Sequence, residues 1–245
     1  MSRVRLTDED ARFVEKYRPD AYPRPAVTVD LAIFTVIDAR LVTLLIKRKE
    51  APYRGRWALP GGFVRVGSSR KDQGESLDDA ASRELREETG LPLDPGYLEQ
   101  VGAFGEPNRD PRMRVISVGY FALVRPALGA LVQAGTDASH AEWVSVKDAQ
   151  KRTLAFDHES ILTTALARLR ERLGSSSVAF ALVGKTFTIP ELRAVHEVIH
   201  NQVLDPGNFR RRFLRWLEDG VIEEAPGRRI TPSKPASVYR FCKSC

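Results

Sequence analysis

The chain has 245 residues, 42% hydrophobic and 29% charged, with a net charge of +6. This is enough for one large domain or two modest ones, and no apolar run approaches the length that spans a bilayer. The only cysteines, Cys242 and Cys245, stand at the extreme C-terminus, so a disulfide framework is excluded and a soluble cytoplasmic protein is expected.

The charge is uneven. From Ser175 onward 11 Lys and Arg face 7 Asp and Glu, against 27 and 25 before it. A basic tail points mildly to a polyanionic partner, although many solvated surfaces are equally basic.

In chain order, MSRVRLTDEDARFVEKY has the pattern of a short amphipathic helix rather than a signal peptide. Ala26 to Ile37 is rich in β-branched residues, Asp38-Ala-Arg makes a turn, and Leu41 to Lys47 returns, which predicts a hairpin. Arg54, Arg56 and Trp57 then stand just before a glycine turn, where they are candidates to bind the phosphates and base of a ligand. A tryptophan in such a place more often serves the core.

Ser76 to Gly90 predicts a helix. Ser76 with Asp79 opens it, Leu77, Ala80, Ala81 and Leu85 form an apolar stripe, and Gly90 supplies the stop. Glu84, Glu87 and Glu88 share one face at i, i+3 and i+4. Such neighbours repel by a few tenths of a kcal/mol per pair. A hard divalent cation such as Mg²⁺ would offset this, whereas the plain alternative is an acidic, solvated face.

The whole stretch resembles the Nudix box, with Gly62, Glu75, Arg83, Glu84, Leu85, Glu87, Glu88, Gly90 and Leu91 on the specified positions. Seven extra residues, Gly67 to Gln73, depart from the pattern. They suit a surface loop, which costs little in closure entropy, and leave open whether Glu75 is displaced. The resemblance implies an α/β/α sandwich around a mixed sheet over roughly Val27 to Val146. It also implies Mg²⁺ on Glu84, Glu87 and Glu88, with Glu75 joining them as a catalytic residue.

Two further strands, Val101 to Phe104 and Arg114 to Val124, flank a loop carrying Glu106, Arg109, Asp110 and Arg112. Loops on a rigid sheet commonly carry function, and Arg109 and Arg112 are candidate ligand contacts. In Nudix enzymes that act on ADP-ribose a proline follows the box by sixteen residues, and Pro107 stands at that distance from Leu91. The resemblance therefore leans the ligand towards ADP-ribose. Ala141 to Val146 predicts the last strand, and Asp157 to Leu173 a long helix with Ile161, Leu162, Ala165, Leu166 and Leu169 on one stripe. The polar Gly174-Ser-Ser-Ser that follows marks a boundary. The expected division is residues 1–156 for ligand binding, 157–174 for a connecting helix and linker, and 175–245 for DNA binding.

In that last part Thr188 caps a helix, VLDPG turns, Asn208 opens a second helix, and VIEEAPGRRITPSKPASVYRF alternates as a two-stranded ribbon. This order predicts a winged helix-turn-helix. Asn208, Arg210, Arg211 and Arg212 would start the recognition helix, with Arg210 and Arg211 reading bases. Arg228, Arg229 and Lys234 would hold the phosphate backbone at the wing. A small basic interaction module is the plainer alternative.

His196-Glu-Val-Ile-His200 matches the zinc-protease helix pattern. Its setting, at the edge of an apolar stripe in a small basic domain, favours a partly buried pair, and no zinc is expected. Cys242-Lys-Ser-Cys245 has no second pair to complete a zinc site.

With TVDLAIFTV, RWALPGGFV, the LAFDH run and NFRRRF in this order, nearly the whole chain resembles the Nudix-related transcriptional regulators (NrtR family) of bacterial NAD metabolism. The resemblance implies a homodimeric repressor on a palindromic double-stranded operator, responsive to ADP-ribose or a similar phosphorylated metabolite. Many members have a damaged Nudix box. All three glutamates stand here, so ADP-ribose pyrophosphatase activity is the alternative expectation.

Overall fold

The computed structural model describes residues 6–68, 72–90, 97–126, 138–175, 177–230 and 235–242. It begins with α1 (Asp8–Lys16), closed by a capping box between Thr7 and Asp10 and without a buried residue.

Strands β1 (Ala26–Ile37) and β2 (Arg40–Arg48) are joined by Asp38 and Ala39, both in left-handed backbone at φ 48° and 54°. Two such residues turn a hairpin in step with the twist of its strands. The hairpin stays paired only near this end, Phe34–Ile37 against Arg40–Thr43. Further out the strands part. β1 takes up β4 (Gly61–Phe63) along Thr28–Asp30, while Ile46 and Lys47 of β2 pair with β3 (Trp57–Ala58).

Among the described residues seven strands make the mixed sheet. β6 (Val115–Leu123) runs parallel to β1, β5 (Tyr97–Phe104) antiparallel to β6, and β7 (Ala138–Ser145) antiparallel to β2. β5 starts four residues before the sequence suggests, because Tyr97–Gln100 pair with Tyr120–Leu123. Tertiary pairing overrides a weak local pattern.

Helices cover both faces. Val29, Leu31 and Ile33 pack with Ala80, Ala81 and Leu85 of α2 (Leu77–Thr89). Between them, Ala32 and Phe34 turn the opposite way, into a second core that holds Ile161, Leu162 and Ala165. A strand buried on both sides must be apolar nearly throughout, which accounts for the composition of β1. After the short α3 (Val146–Ala149), α4 (His158–Ser175) supplies that second face.

The second core does not stop at the sheet. It continues along α4 through Leu166, Leu169 and Leu173, then through Val178 and Leu182 of a 3-10 turn, to Leu192, Ile199, Phe209 and Phe213 of the C-terminal part. α4 therefore stays helical through Gly174 and Ser175, where the sequence suggests a linker.

In the C-terminal part α5 (Ile189–His200) has the expected Thr188 cap, reciprocated by Glu191, and ends on Asn201 in left-handed backbone. α6 (Pro206–Glu218) starts two residues before the expected Asn208. Asp205 is its cap and Pro206 its first residue, so the amide of Asn208 donates to Asp205 at 2.7 Å. β8 (Ile222–Arg229) and β9 (Ala236–Phe241) form the antiparallel wing. The architecture is an α/β/α sandwich with mixed sheet plus a C-terminal winged helix, and no helix described is long and apolar enough to cross a membrane.

Candidate functional site

Where β1 and β2 part, a cleft of about 540 Å³ opens between β4 and α2. Glu84, Glu87 and Glu88 all line it, as their helical spacing requires. Ser76 caps α2 and Gly90, at φ 65°, ends it. The backbone of β4 comes close to this acidic face at Gly62, where a Cβ would lie 2.3 Å from Oε1 of Glu84. A larger residue there would push the Glu84 carboxylate aside.

Arg83 is the centre of the acidic face. It donates to Glu75 at 2.6 and 3.0 Å, to Glu84 at 2.6 Å, to Glu87 at 2.9 Å and to the carbonyl of Phe63 at 3.1 Å. The repulsion among the glutamates is thus offset in part by an arginine. Glu75 is outside the cleft lining. Its hydrogen bonds from Arg83, and one from the amide of Arg65, hold its carboxyl down at about 2. Through Arg83 and Arg65 it braces α2 against β4. The extra residues do not displace it, because Glu75 also donates its amide to the carbonyl of Arg65 at 3.0 Å. Burial pushes the Glu84 carboxyl up, against the pull of Arg83.

The three carboxylates are hard oxygen donors of the type Mg²⁺ accepts alongside several waters. Among the described residues no three His, Cys, Asp or Glu side chains are drawn together as a metal cage. The donors fit a divalent cation in kind and in facing the cleft, and loading it would take part of Glu84 and Glu87 away from Arg83.

Basic and aromatic groups make the opposite wall. Arg109 is buried and donates to Asp157 through Nε at 2.9 Å and a terminal nitrogen at 2.5 Å, with Asp30 at 3.5 Å. Asp30 also accepts from Ser117 and lies 3.5 Å from Nε2 of His158, whose Nδ1 accepts the amide of Leu59 at 2.9 Å. Burial pushes the His158 imidazole down, so it is neutral here. Arg112 pairs with Asp110 at 2.7 Å and lies over the rings of Phe63 and Phe156, 5.4 and 5.9 Å from their centroids. Arg48 lies over Phe156 too, at 4.9 Å. Phe156 holds a left-handed backbone at φ 55°, a strain of about 1–3 kcal/mol for a bulky residue, of the kind that gathers at functional sites.

The expected ligand contacts divide accordingly. Arg109 and Arg112 line the cleft; Arg54, Arg56 and Trp57 do not. Arg54 and Arg56 are exposed on the preceding loop. Trp57 packs on the second core, edge-on to His140 and under Arg152, because pairing with β2 turns its side chain there. Asp30, Arg48, Phe156 and His158 were missed, since each reaches the cleft only through chain crossings that leave no mark on local spacing.

On the C-terminal part Arg210 and Arg211 are exposed in the first turns of α6, with Arg211 bonded to Asn208. Arg215, one turn beyond Arg211, is also exposed and adds to their face. Arg212 turns inward instead, donating to the carbonyl of Leu173 at 3.1 Å with its guanidinium 4.8 Å over Trp216. Arg228 is exposed, but Arg229 is held by Glu191 at 2.6 and 2.7 Å and by the carbonyl of Thr186. Arg229 thereby ties the wing to α5, an ion pair it would have to share with any phosphate. Lys234 and Cys245 lie outside the described residues. His196 is packed between Phe209 and Trp216, where burial, Arg212 and His200 push its imidazole down to about 4.

An acidic helix facing basic side chains across a strand-glycine-helix cleft, joined to a winged helix with a basic leading turn, defines the class: a Nudix domain carrying a DNA-binding module. A NUDIX domain model matches residues 26–165, and a model of the NrtR DNA-binding winged helix domain matches 179–241. The ADPR responsive transcriptional repressor NtrR of Acinetobacter baylyi is 40% identical over 239 residues, 98% of this chain and 90% of that protein. An ADP-ribose pyrophosphatase of Methanocaldococcus jannaschii is 40% identical over 151 residues, 62% of this chain and 78% of that enzyme. The structure of Shewanella oneidensis NrtR with a 27mer DNA aligns at a TM-score of 0.73 and 32% identity, covering 88% of this chain and 93% of that one. The chain belongs to the NrtR family of Nudix-related transcriptional regulators.

Proposed function

We propose that this protein is a transcriptional repressor that binds operator DNA through its winged helix and senses ADP-ribose, or a closely related phosphorylated metabolite, in its Nudix cleft. The observation that carries this reading is one continuous apolar core joining an anion-sized, arginine-lined cleft to a helix whose exposed first turns hold Arg210 and Arg211. The kinship with an ADPR responsive repressor supports it. Two copies would place their recognition helices in successive major grooves of a palindromic site upstream of NAD metabolism genes, in the cytoplasm.

Within this reading Arg109 and Arg112, joined by Arg48, meet the diphosphate and Phe156 offers a face to the base. Asn208, Arg210 and Arg211 meet the major groove and Arg228 the backbone. Fluorescence anisotropy on DNA upstream of the gene, at about 150 mM salt with and without ADP-ribose and Mg²⁺, is the direct test. Sequence-selective binding weakened by ADP-ribose is expected; binding no tighter than to unrelated DNA would end the reading. Replacing Arg210 or Arg211 by Ala should cost about 1–3 kcal/mol on the operator and relax base preference at one position, whereas Arg228→Ala should weaken all sequences alike and lower the salt slope.

A second reading is favoured by the intact glutamates in the cleft: hydrolysis of ADP-ribose to AMP and ribose 5-phosphate, clearing the signal. Mg²⁺ held by Glu84, Glu87 and Glu88 would offset charge developing on the diphosphate. Glu87 is the most exposed of these carboxylates, although Arg65 and Arg83 each pair with it, and Glu87→Gln is expected to cut turnover by about 100-fold or more, measured as AMP release. Unchanged turnover would remove that glutamate from the chemistry.

A further inference from the structure

One element, α4, reaches from the cleft to the DNA-binding part, which also touches β2 through α5. α4 has 18 residues, about 27 Å of rigid rod. Its leading end is fixed in the cleft. Asp157 takes the buried Arg109, His158 takes the amide of Leu59 and faces Asp30, and Phe156, just ahead, presents its ring to the cleft. Its far end is fixed to the DNA-binding part by two guanidiniums, each donating to a carbonyl near a helix C-terminus, where cations are favoured. Arg170 of α4 donates to Ile199 of α5 at 3.0 Å, and Arg212 of α6 donates to Leu173 of α4 at 3.1 Å. Between these ends Ile161, Leu162, Leu166, Leu169 and Leu173 are at most 2% exposed.

We propose that α4 is the coupling rod of the sensor, and that Arg170 and Arg212 are positioning residues which convert a shift of its cleft end into a change in the setting of α6. An anionic ligand entering the cleft draws on Arg109, the same guanidinium that holds Asp157 at the start of α4. The rod cannot bend easily, since its apolar stripe is close-packed against the sheet, so a displacement at Asp157 reaches Leu173 and, through Arg212, the recognition helix. The proposal rests on the sensor reading above.

The test uses the full-length protein with Arg170→Met, Arg212→Met and the double variant. Calorimetry gives the ADP-ribose affinity, and anisotropy gives operator affinity without and with saturating ADP-ribose. For the wild type a ligand effect of about 5- to 150-fold on DNA affinity is the ordinary scale of such coupling. The double variant is expected to keep its ADP-ribose affinity and its ligand-free DNA affinity within a few-fold, and to lose most of the ligand effect. Arg170→Lys with Arg212→Lys, which keeps the charge but loses the aimed guanidinium, serves if the Met variant does not fold, and is expected to lose the effect as well. A full wild-type effect in a folded variant overturns the rod while leaving the sensor standing. A wild type that binds both ligands without any effect of one on the other overturns sensor and rod together.

Discussion

Replacing Arg109 by Met is expected to lower stability by about 3–5 kcal/mol, the usual consequence of removing one member of a buried ion pair. At this chain length that corresponds to a fall in melting temperature of roughly 6 to 20 °C. The side chain of Arg109 is 3% exposed and faces two carboxylates, Asp157 and Asp30, themselves 23% and 9% exposed. Burial pulls its guanidinium down, yet the two carboxylates more than compensate and hold it raised. Methionine fills similar space and makes none of the bonds. Asp30 is then left charged in the sheet with Ser117 and a neutral His158, so the cost comes from the stranded carboxylate more than from the lost contact. Adding Asp30→Asn to Arg109→Met should therefore recover part of the loss. Thermal melts of the single and double variants decide it. A loss under 1 kcal/mol for Arg109→Met would mean that the cleft wall is solvated.

Acidification is expected to weaken the winged helix through His196. The ring lies among Phe209 and Trp216 with no hydrogen-bond partner on Nε2. Its imidazole is held at about 4, against 6.5 for the unconstrained group. Above pH 6.5 the ring is neutral in both folded and unfolded chains and costs nothing. Below it the unfolded chain gains a proton that the folded chain refuses, so stability falls until about pH 4. The full loss is about 3 kcal/mol, of which about 2 appear between pH 7 and pH 5. Urea unfolding at these two pH values checks it, with His196→Phe as the comparison. Phenylalanine suits the aromatic surroundings and leaves no polar atom behind, so the pH dependence of the variant should be flatter by about 2 kcal/mol. His158 is pushed down by its own burial and acts in the same direction, which is why the difference between the two proteins carries the result.

Whatever is local was legible along the chain. The caps of α2 and α5, the left-handed stop at Gly90, the shared face of Glu84, Glu87 and Glu88, and the helix, turn, helix and wing order follow from spacings of a few residues. Within such reach the period of the backbone decides where side chains go. The family was legible for the same reason, as its signature is a run of local spacings.

Which charges meet is settled by the folding of distant segments onto one another. Arg109 finds Asp157 48 residues away, and Asp30 finds Ser117 87 away. Arg212 stands beside Arg211 in the chain but turns to the end of α4, and Arg229 turns to Glu191, though both look like phosphate contacts in sequence. Trp57 and Phe156 exchange places for a similar reason: pairing with β2 sends the one into the core, and the strained backbone before α4 sends the other into the cleft. Electrostatic and packing energies depend on distance in space and on burial. Those are fixed when the strands cross and the cores close, and until then a charged residue in the chain has no assigned partner.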